Sequence, residues 1–220
     1  MKMSLNKRLS TLSAFIEDNS NIIDIGCDHG LLGIYLYQNR TNVKVISSDI
    51  NELPLMKAHD NLIKYDLVDK IELRLGNGLE CINSDTDTII ISGMGGLTIV
   101  EILSCVRRYK GIKKIVISPN SDFVLTRRKI SNLGFKLSNE TMVCENNKYY
   151  LISEYVIGHG KINYMFGKLD FNNNIVVDYY RDLYNKNKLV LKSIPRKYFV
   201  KRIKLMYYNY MIRKRIKSDV

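Results

Sequence analysis

Five short apolar runs, at 21–26, 43–49, 70–75, 88–92 and 114–118, alternate with helical stretches at 31–38, 53–65, 97–108 and 123–133. The runs are nearly continuous in Val and Ile, as strands are when both faces of a sheet are covered. This alternation predicts an α/β fold with a parallel sheet between helical layers. Two further strand-like runs, 135–145 and 148–157, are separated only by Asn146-Asn147, a hairpin signal. The expected sheet is therefore seven-stranded and mostly parallel, with an antiparallel last strand. Ahead of it, Leu5, Leu9, Leu12, Ala14, Phe15 and Ile16 predict an amphipathic helix from about Ser4. Beyond Gly158-His159-Gly160 and a polar break at 170–174, stretches 175–191 and 195–217 predict a helical hairpin. Ser193 is the expected N-cap of its second helix, with Pro195 in the first turn. The expected division is a sheet domain over 1–160 and a helical extension over 161–220.

In an open parallel sheet, ligands bind outside the carboxyl ends of the strands. The first strand leads into Asp24-Ile-Gly26-Cys27-Asp28-His29-Gly30, which then opens a helix. Such a bend directs backbone N–H groups and the positive end of a helix dipole at its contents. Its spacing is not Gly-x-Gly-x-x-Gly: Asp28 and Leu31 stand at the second and third glycine places. An ordinary strand–turn–helix with no ligand is the plain alternative. After the second strand come Asp49 and Ile50. A carboxylate there accepts both ribose hydroxyls, or serves only as an acid at a helix N-terminus. After the third strand, Gly76-Asn77-Gly78 forms a tight turn where a side-chain amide meets an adenine. The fourth and fifth strands end in Ser92-Gly93-Met94-Gly95-Gly96 and Ser118-Pro119-Asn120, which would form the acceptor side of a pocket. The three glycines leave backbone groups uncovered for a flat ring. His29 reads as a solvent-facing or capping histidine, and His59 and His159 lack metal-ligand spacing, so no metal is expected.

Charge is concentrated at one end. Of the net +12 carried by 220 residues, +11 lies between Arg181 and Val220. A neutral body with a basic segment points to a polyanionic partner; a merely solubilising helix is the alternative. Cys27, Cys81, Cys105 and Cys144 form no C-x-x-C pair and read as reduced thiols. With no membrane-length apolar run and no signal peptide, a cytoplasmic protein is expected.

The motifs at these strand ends resemble the bacterial tRNA (adenine-22-N1) methyltransferases, class I S-adenosylmethionine-dependent enzymes. Asp24-Ile-Gly-Cys-Asp-His29 is similar to that family's Asp-Ile-Gly-x-Asp-His motif, and Gly93-Met-Gly-Gly96 to its Gly-Met-Gly-Gly loop. Pro119-Asn120, Arg127-Arg128 with Leu133-Gly134-Phe135, and Phe166-Gly167 resemble further family elements. Asn77 stands where the family usually has Asp, and Lys168 where it has Pro. The class I arrangement also has an antiparallel seventh strand.

The resemblance implies methyl transfer from S-adenosylmethionine to N1 of adenine 22 in the D-arm region of tRNA. Together with the strand ends, it implies cofactor contacts from Asp24, Gly26, Cys27, Asp28, His29, Gly30, Asp49, Ile50, Gly76, Asn77, Gly78, Gly93, Met94 and Gly95. Catalytic positions fall on Asp28, Gly93, Met94 and Asn120. The tRNA backbone is expected on Arg196, Lys197, Lys201, Arg202, Lys204, Arg213, Lys214 and Arg215, with Arg8 adding a phosphate or pocket contact. The partner set is then tRNA, with no membrane and no metal, and a monomer or weak homodimer. Other readings are a methyltransferase for another RNA position or a small molecule, and a non-catalytic RNA-binding protein with a vestigial methyltransferase fold.

Overall fold

The computed structural model describes residues 3–217. They form two compact units, Met1–Lys168 and Leu169–Val220.

In the first unit, helix α1 (Lys7–Ser13) precedes β1 (Asn21–Ile25), α2 (Leu31–Asn39), β2 (Lys44–Asp49), α3 (Glu52–Tyr65) and β3 (Ile71–Leu75). There follow β4 (Thr88–Ser92), α4 (Gly96–Leu103), β5 (Lys114–Ser118), α5 (Phe123–Asn132), β6 (Phe135–Glu145) and β7 (Lys148–Ile157). The strands form one sheet in the order β3-β2-β1-β4-β5-β7-β6. Strand β7 runs antiparallel to both β5 and β6, and the described pairs among β1 to β5 are parallel. The order reverses between β1 and β4, so their carboxyl ends open the crevice that a doubly wound sheet offers a ligand.

Strand alternation sorts the core into two layers. Ile23, Ile25, Ile89, Ile91, Ile115 and Ile117 face one layer, which includes Ile99 and Leu103 of α4 and Ile130 of α5. Ile22, Val45, Ile90 and Val116 face the other, with Leu12 of α1, Leu32 and Leu36 of α2 and Leu62 of α3. Burial on both faces explains why β1, β4 and β5 read as nearly continuous apolar runs. The hairpin turn has Asn146 and Asn147 at φ 49° and 59°, the left-handed pair that closes a two-residue loop.

Several boundaries differ from the sequence reading. Helix α1 begins at Lys7, because the Asn6 side chain accepts a hydrogen bond from the Leu9 N–H and caps it there. The stretch 97–108 is split: α4 ends at Leu103, and Val106–Arg108 forms a separate 3₁₀ turn. The first unit reaches Lys168, not residue 160. Arg127 donates to the carbonyls of Tyr164 and Met165, and the Lys168 N–H donates to Glu140, tying residues 164–168 to the sheet domain.

The second unit contains α6 (Asn174–Ser193) and α7 (Phe199–Lys217). Asn187 Nδ2 donates to Asn209 Oδ1 across the two helices, at 2.9 Å and buried. Ser193 is the last residue of α6, its hydroxyl donating to the Val190 carbonyl, and does not cap the next helix. Pro195 lies in the link, where its carbonyl accepts from the Tyr198 N–H, and α7 starts at Phe199.

Candidate active site

The carboxyl ends of β1, β2, β3 and β4 surround a cavity of about 820 Å3, within the usual range for small-molecule sites. Asp24, Gly26, Cys27, Asp28, His29, Asp49, Ile50, Gly76, Asn77, Gly78, Gly93 and Met94 all line it. Gly30, Gly95 and Asn120 are not among the lining residues. Gly30 is instead the left-handed residue opening α2, at φ 66°. Asp28 also adopts a left-handed φ of 53°, a conformation Asp tolerates better than most side chains. An aspartate can therefore stand in the middle glycine's place without remodelling the bend.

Two amides of the bend are engaged within the sheet. The N–H groups of Gly26 and Cys27 both donate to the Ser48 carbonyl, at 2.8 and 3.0 Å. They bind β1 to β2 and are not presented to a ligand. The glycine loop after β4 is similarly engaged. Gly93 N–H donates to Ser118 O, Asn120 N–H donates to Met94 O, and Asn120 Nδ2 donates to Gly93 O at 2.6 Å. Gly96 permits close packing: a Cβ there would lie 2.5 Å from the Ser121 carbonyl and collide with Thr126. These contacts bring the β4 and β5 loops together.

Two acids dominate the electrostatics. Asp24 is 3% exposed yet opens into the cavity. Burial, reinforced by Asp49 and partly offset by Arg8, raises its pKa to about 7. Asp49 accepts the Asn51 N–H on Oδ1 and retains acceptor capacity on its other oxygen. Burial first, then the fields of Asp24 and Asp49, pushes the Cys27 thiol far up, so Cys27 is a wall residue and not a nucleophile.

Arg8, which the sequence left open as a phosphate or a pocket contact, lines the cavity, its guanidinium carbon 5.2 Å from the centre of the Tyr150 ring. His29 Nε2 is 3.5 Å from Asp28 Oδ1 at the mouth, where both side chains are substantially exposed. The sequence reading missed Thr98, Glu101 and Ile102, which also line the cavity. Their i, i+3, i+4 spacing on α4 was the available signal.

In the second unit, Arg196, Lys197, Lys201, Lys204, Arg213, Lys214 and Arg215 are exposed cations. Arg215 lies over the Phe171 ring at 4.8 Å, and Lys197 over Tyr198 at 5.3 Å. Arg202 differs, being half-buried and donating to the carbonyls of Leu191 and Ile194. It closes the carboxyl end of α6, a structural role. Among the described residues, no group of three His, Cys, Asp or Glu could hold a metal, and no helix is long and apolar enough to cross a membrane.

The polar lining therefore suits a nucleoside ligand carrying an amine: two carboxylates with free acceptors and an exposed Asn77. A family described as a methyltransferase domain matches residues 5–153. The tRNA (adenine(22)-N(1))-methyltransferase of Bacillus subtilis is 31% identical over 151 residues, covering 68% of this chain and 63% of that one. The matched stretch thus spans a little under two thirds of that relative. Among solved structures, a protein of the NADB-Rossmann superfamily from Streptococcus agalactiae matches with a TM-score of 0.91 and 27% identity, over 98% of this chain and 99% of that one. TrmK of M. capricolum, in complex with S-adenosyl-homocysteine, matches with a TM-score of 0.85 and 26% identity, over 97% of this chain and 98% of that one. A match across more than half the sequence establishes that the chain belongs to the methyltransferase-domain family.

Proposed function

We propose that this chain transfers the methyl group of S-adenosylmethionine to N1 of adenine 22 in tRNA, the activity for which its Bacillus relative is named. The carrying observation is the buried Asp24 carboxylate, open to the cavity and close to the Asp49 carboxylate that lines the same wall. A phosphate would meet a like charge there, whereas an ammonium would meet a partner. When bound, S-adenosylmethionine supplies a methyl group already activated by the sulfonium charge.

The residues then have to orient and shield, because N1 is a neutral nucleophile that needs no strong base. Asp24 holds the ammonium, the free oxygen of Asp49 takes the ribose hydroxyls, and Asn77 meets the adenine of the cofactor. N1 lies on the Watson–Crick edge, so adenine 22 must be drawn out of its stack before reaction. Gly93 and Met94 form the wall on which it rests. Asn120 has its amide nitrogen tied to Gly93 O, so recognition falls to Oδ1, an acceptor suited to the exocyclic amine beside N1. Asp28, exposed at the mouth, faces the positive charge the base acquires. The cations of the second unit bind the tRNA backbone, and the enzyme works in the cytoplasm as a monomer or weak homodimer.

Asp28→Asn is expected to lower kcat by about tenfold to a hundredfold, the usual range for one electrostatic contact at a reacting centre. Its cofactor affinity, measured by calorimetry, should stay within about twofold. Incubation with unmodified tRNA and labelled S-adenosylmethionine, followed by nucleoside analysis, tests the function itself. The expected product is 1-methyladenosine; a different methylated nucleoside, or no incorporation, contradicts the proposal.

A further inference from the structure

Helix α7 has two apolar faces, and the hairpin uses one of them. Leu205, Tyr208, Asn209, Met211, Ile212 and Ile216 are the buried or half-buried positions, with Arg202 at their amino end. Phe199, Ile203, Met206, Tyr207 and Tyr210 recur at i, i+4, i+7, i+8 and i+11 along another face. They are 64, 61, 56, 59 and 61% exposed. In a helical hairpin this small, an apolar stripe three turns long marks an interaction site.

The charge around the stripe selects its occupant. Helix α7 contains no acidic residue, and Lys204, Arg213 and Lys214 border or continue the stripe. A second copy of the same face would bring these cations together without a counter-charge, which disfavours self-association. A polyanion with exposed rings is complementary to both features. Every nucleobase has a π-face that stacks on Tyr or Phe, while adjacent cations follow the phosphates. Single-stranded or looped RNA exposes such faces, whereas a continuous helix hides them.

We propose that the exposed face of α7 is a stacking platform for unpaired nucleotides of the tRNA, with Tyr207 and Tyr210 as its principal rings. The inference rests on the tRNA reading given above and adds to it a contact that is not electrostatic. Binding then has two separable parts. Backbone contacts weaken as salt rises, with a slope set by the number of phosphates neutralised. Stacking contributes affinity without altering that slope.

The test compares the full-length protein with Tyr207→Ala/Tyr210→Ala and Tyr207→Phe/Tyr210→Phe, titrating unmodified tRNA across a salt series. Both side chains are exposed, so circular dichroism should show both variants folded like the parent. The alanine pair is expected to bind about tenfold or more weakly at every salt concentration, with an unchanged slope of log K against log salt. The phenylalanine pair should bind within about twofold of the parent, because the ring and not the hydroxyl makes the contact. Unchanged affinity in the alanine pair overturns the proposal, as does an equal loss in the phenylalanine pair. Two further results also overturn it when the alanine pair keeps its tRNA affinity. One is a parent dimer that becomes monomeric in the variant; the other is parent binding to phosphatidylserine vesicles that the variant loses. A parent that methylates tRNA while the alanine pair binds normally refutes this inference alone. A parent that neither binds nor methylates tRNA removes the functional reading as well.

Discussion

Asp24→Asn is expected to stabilise the ligand-free protein at neutral pH while weakening cofactor binding by about tenfold to a hundredfold. The carboxyl group is buried at the end of β1, and its pKa is raised from 3.8 to about 7 by burial, with Asp49 adding to the shift and Arg8 opposing it. Between those values the folded chain holds a proton that the unfolded chain releases. Stability therefore falls as pH rises from about 4 to about 7, with an upper bound of about 4 kcal/mol at 1.36 kcal/mol per pKa unit. Asparagine removes this titration. Denaturant unfolding at pH 5 and pH 8 should show the parent weaker at pH 8 and the variant the same at both.

Cofactor affinity should move the opposite way in that variant. Loss of one charge-assisted contact to an ammonium weakens binding by about tenfold to a hundredfold. In the parent, an ammonium beside Asp24 favours the carboxylate, so binding near pH 7 should release a fraction of a proton. Calorimetry in buffers of different ionisation enthalpy reads this directly. A variant that binds normally, or parent binding with no proton release, separates Asp24 from the ligand.

Arg127→Met carries the second large effect, expected to destabilise the protein by about 3–5 kcal/mol by stranding a buried carboxylate. Arg127 and Glu140 have side chains 1% and 0% exposed and pair at 2.9 Å. Arg127 Nη2 donates to the second Glu140 oxygen at 3.0 Å, and the Ser153 hydroxyl donates to Oε1 at 2.7 Å. The midpoint of thermal unfolding should fall by about ten degrees. Arg127→Met/Glu140→Leu should lose less than Arg127→Met, because it leaves no buried charge. Gly167→Ala should perturb the same place from another side. Gly167 has φ 62°, and a Cβ there would collide with the Glu140 carboxylate and lie 2.6 Å from Arg127 Nε.

This cluster also shows what sequence could reveal. Arg127 and Phe166-Gly167 were both legible as motifs. Nothing in their spacing placed them against Glu140, because three distant segments meet there only after the sheet forms. The hairpin at Asn146-Asn147 was legible in full, since two residues suited to positive φ leave little choice of turn. The strands were legible because both sheet faces are buried, and Asp24 and Asp49 because strand ends locate the crevice.

Other features depended on hydrogen bonds that residue type does not disclose. The Gly26 and Cys27 amides could serve a ligand or Ser48, and only the β1–β2 register decides for Ser48. Arg202 looked like the other cations of α7 until the carbonyls at the end of α6 claimed it. The two apolar faces of α7 were hidden for a related reason. Phe199, Ile203, Met206, Tyr207, Tyr210 and Ile212 read as one set, yet of these only Ile212 is buried.

The central claim concerns one atom of one nucleotide, and the sharpest measurement reads that position. A methyl group on N1 blocks Watson–Crick pairing, so reverse transcription of treated tRNA should stop immediately 3′ of adenine 22. The stop should require S-adenosylmethionine and vanish when adenine 22 is replaced by guanine. A stop elsewhere, or one that persists in the guanine-22 transcript, contradicts the account.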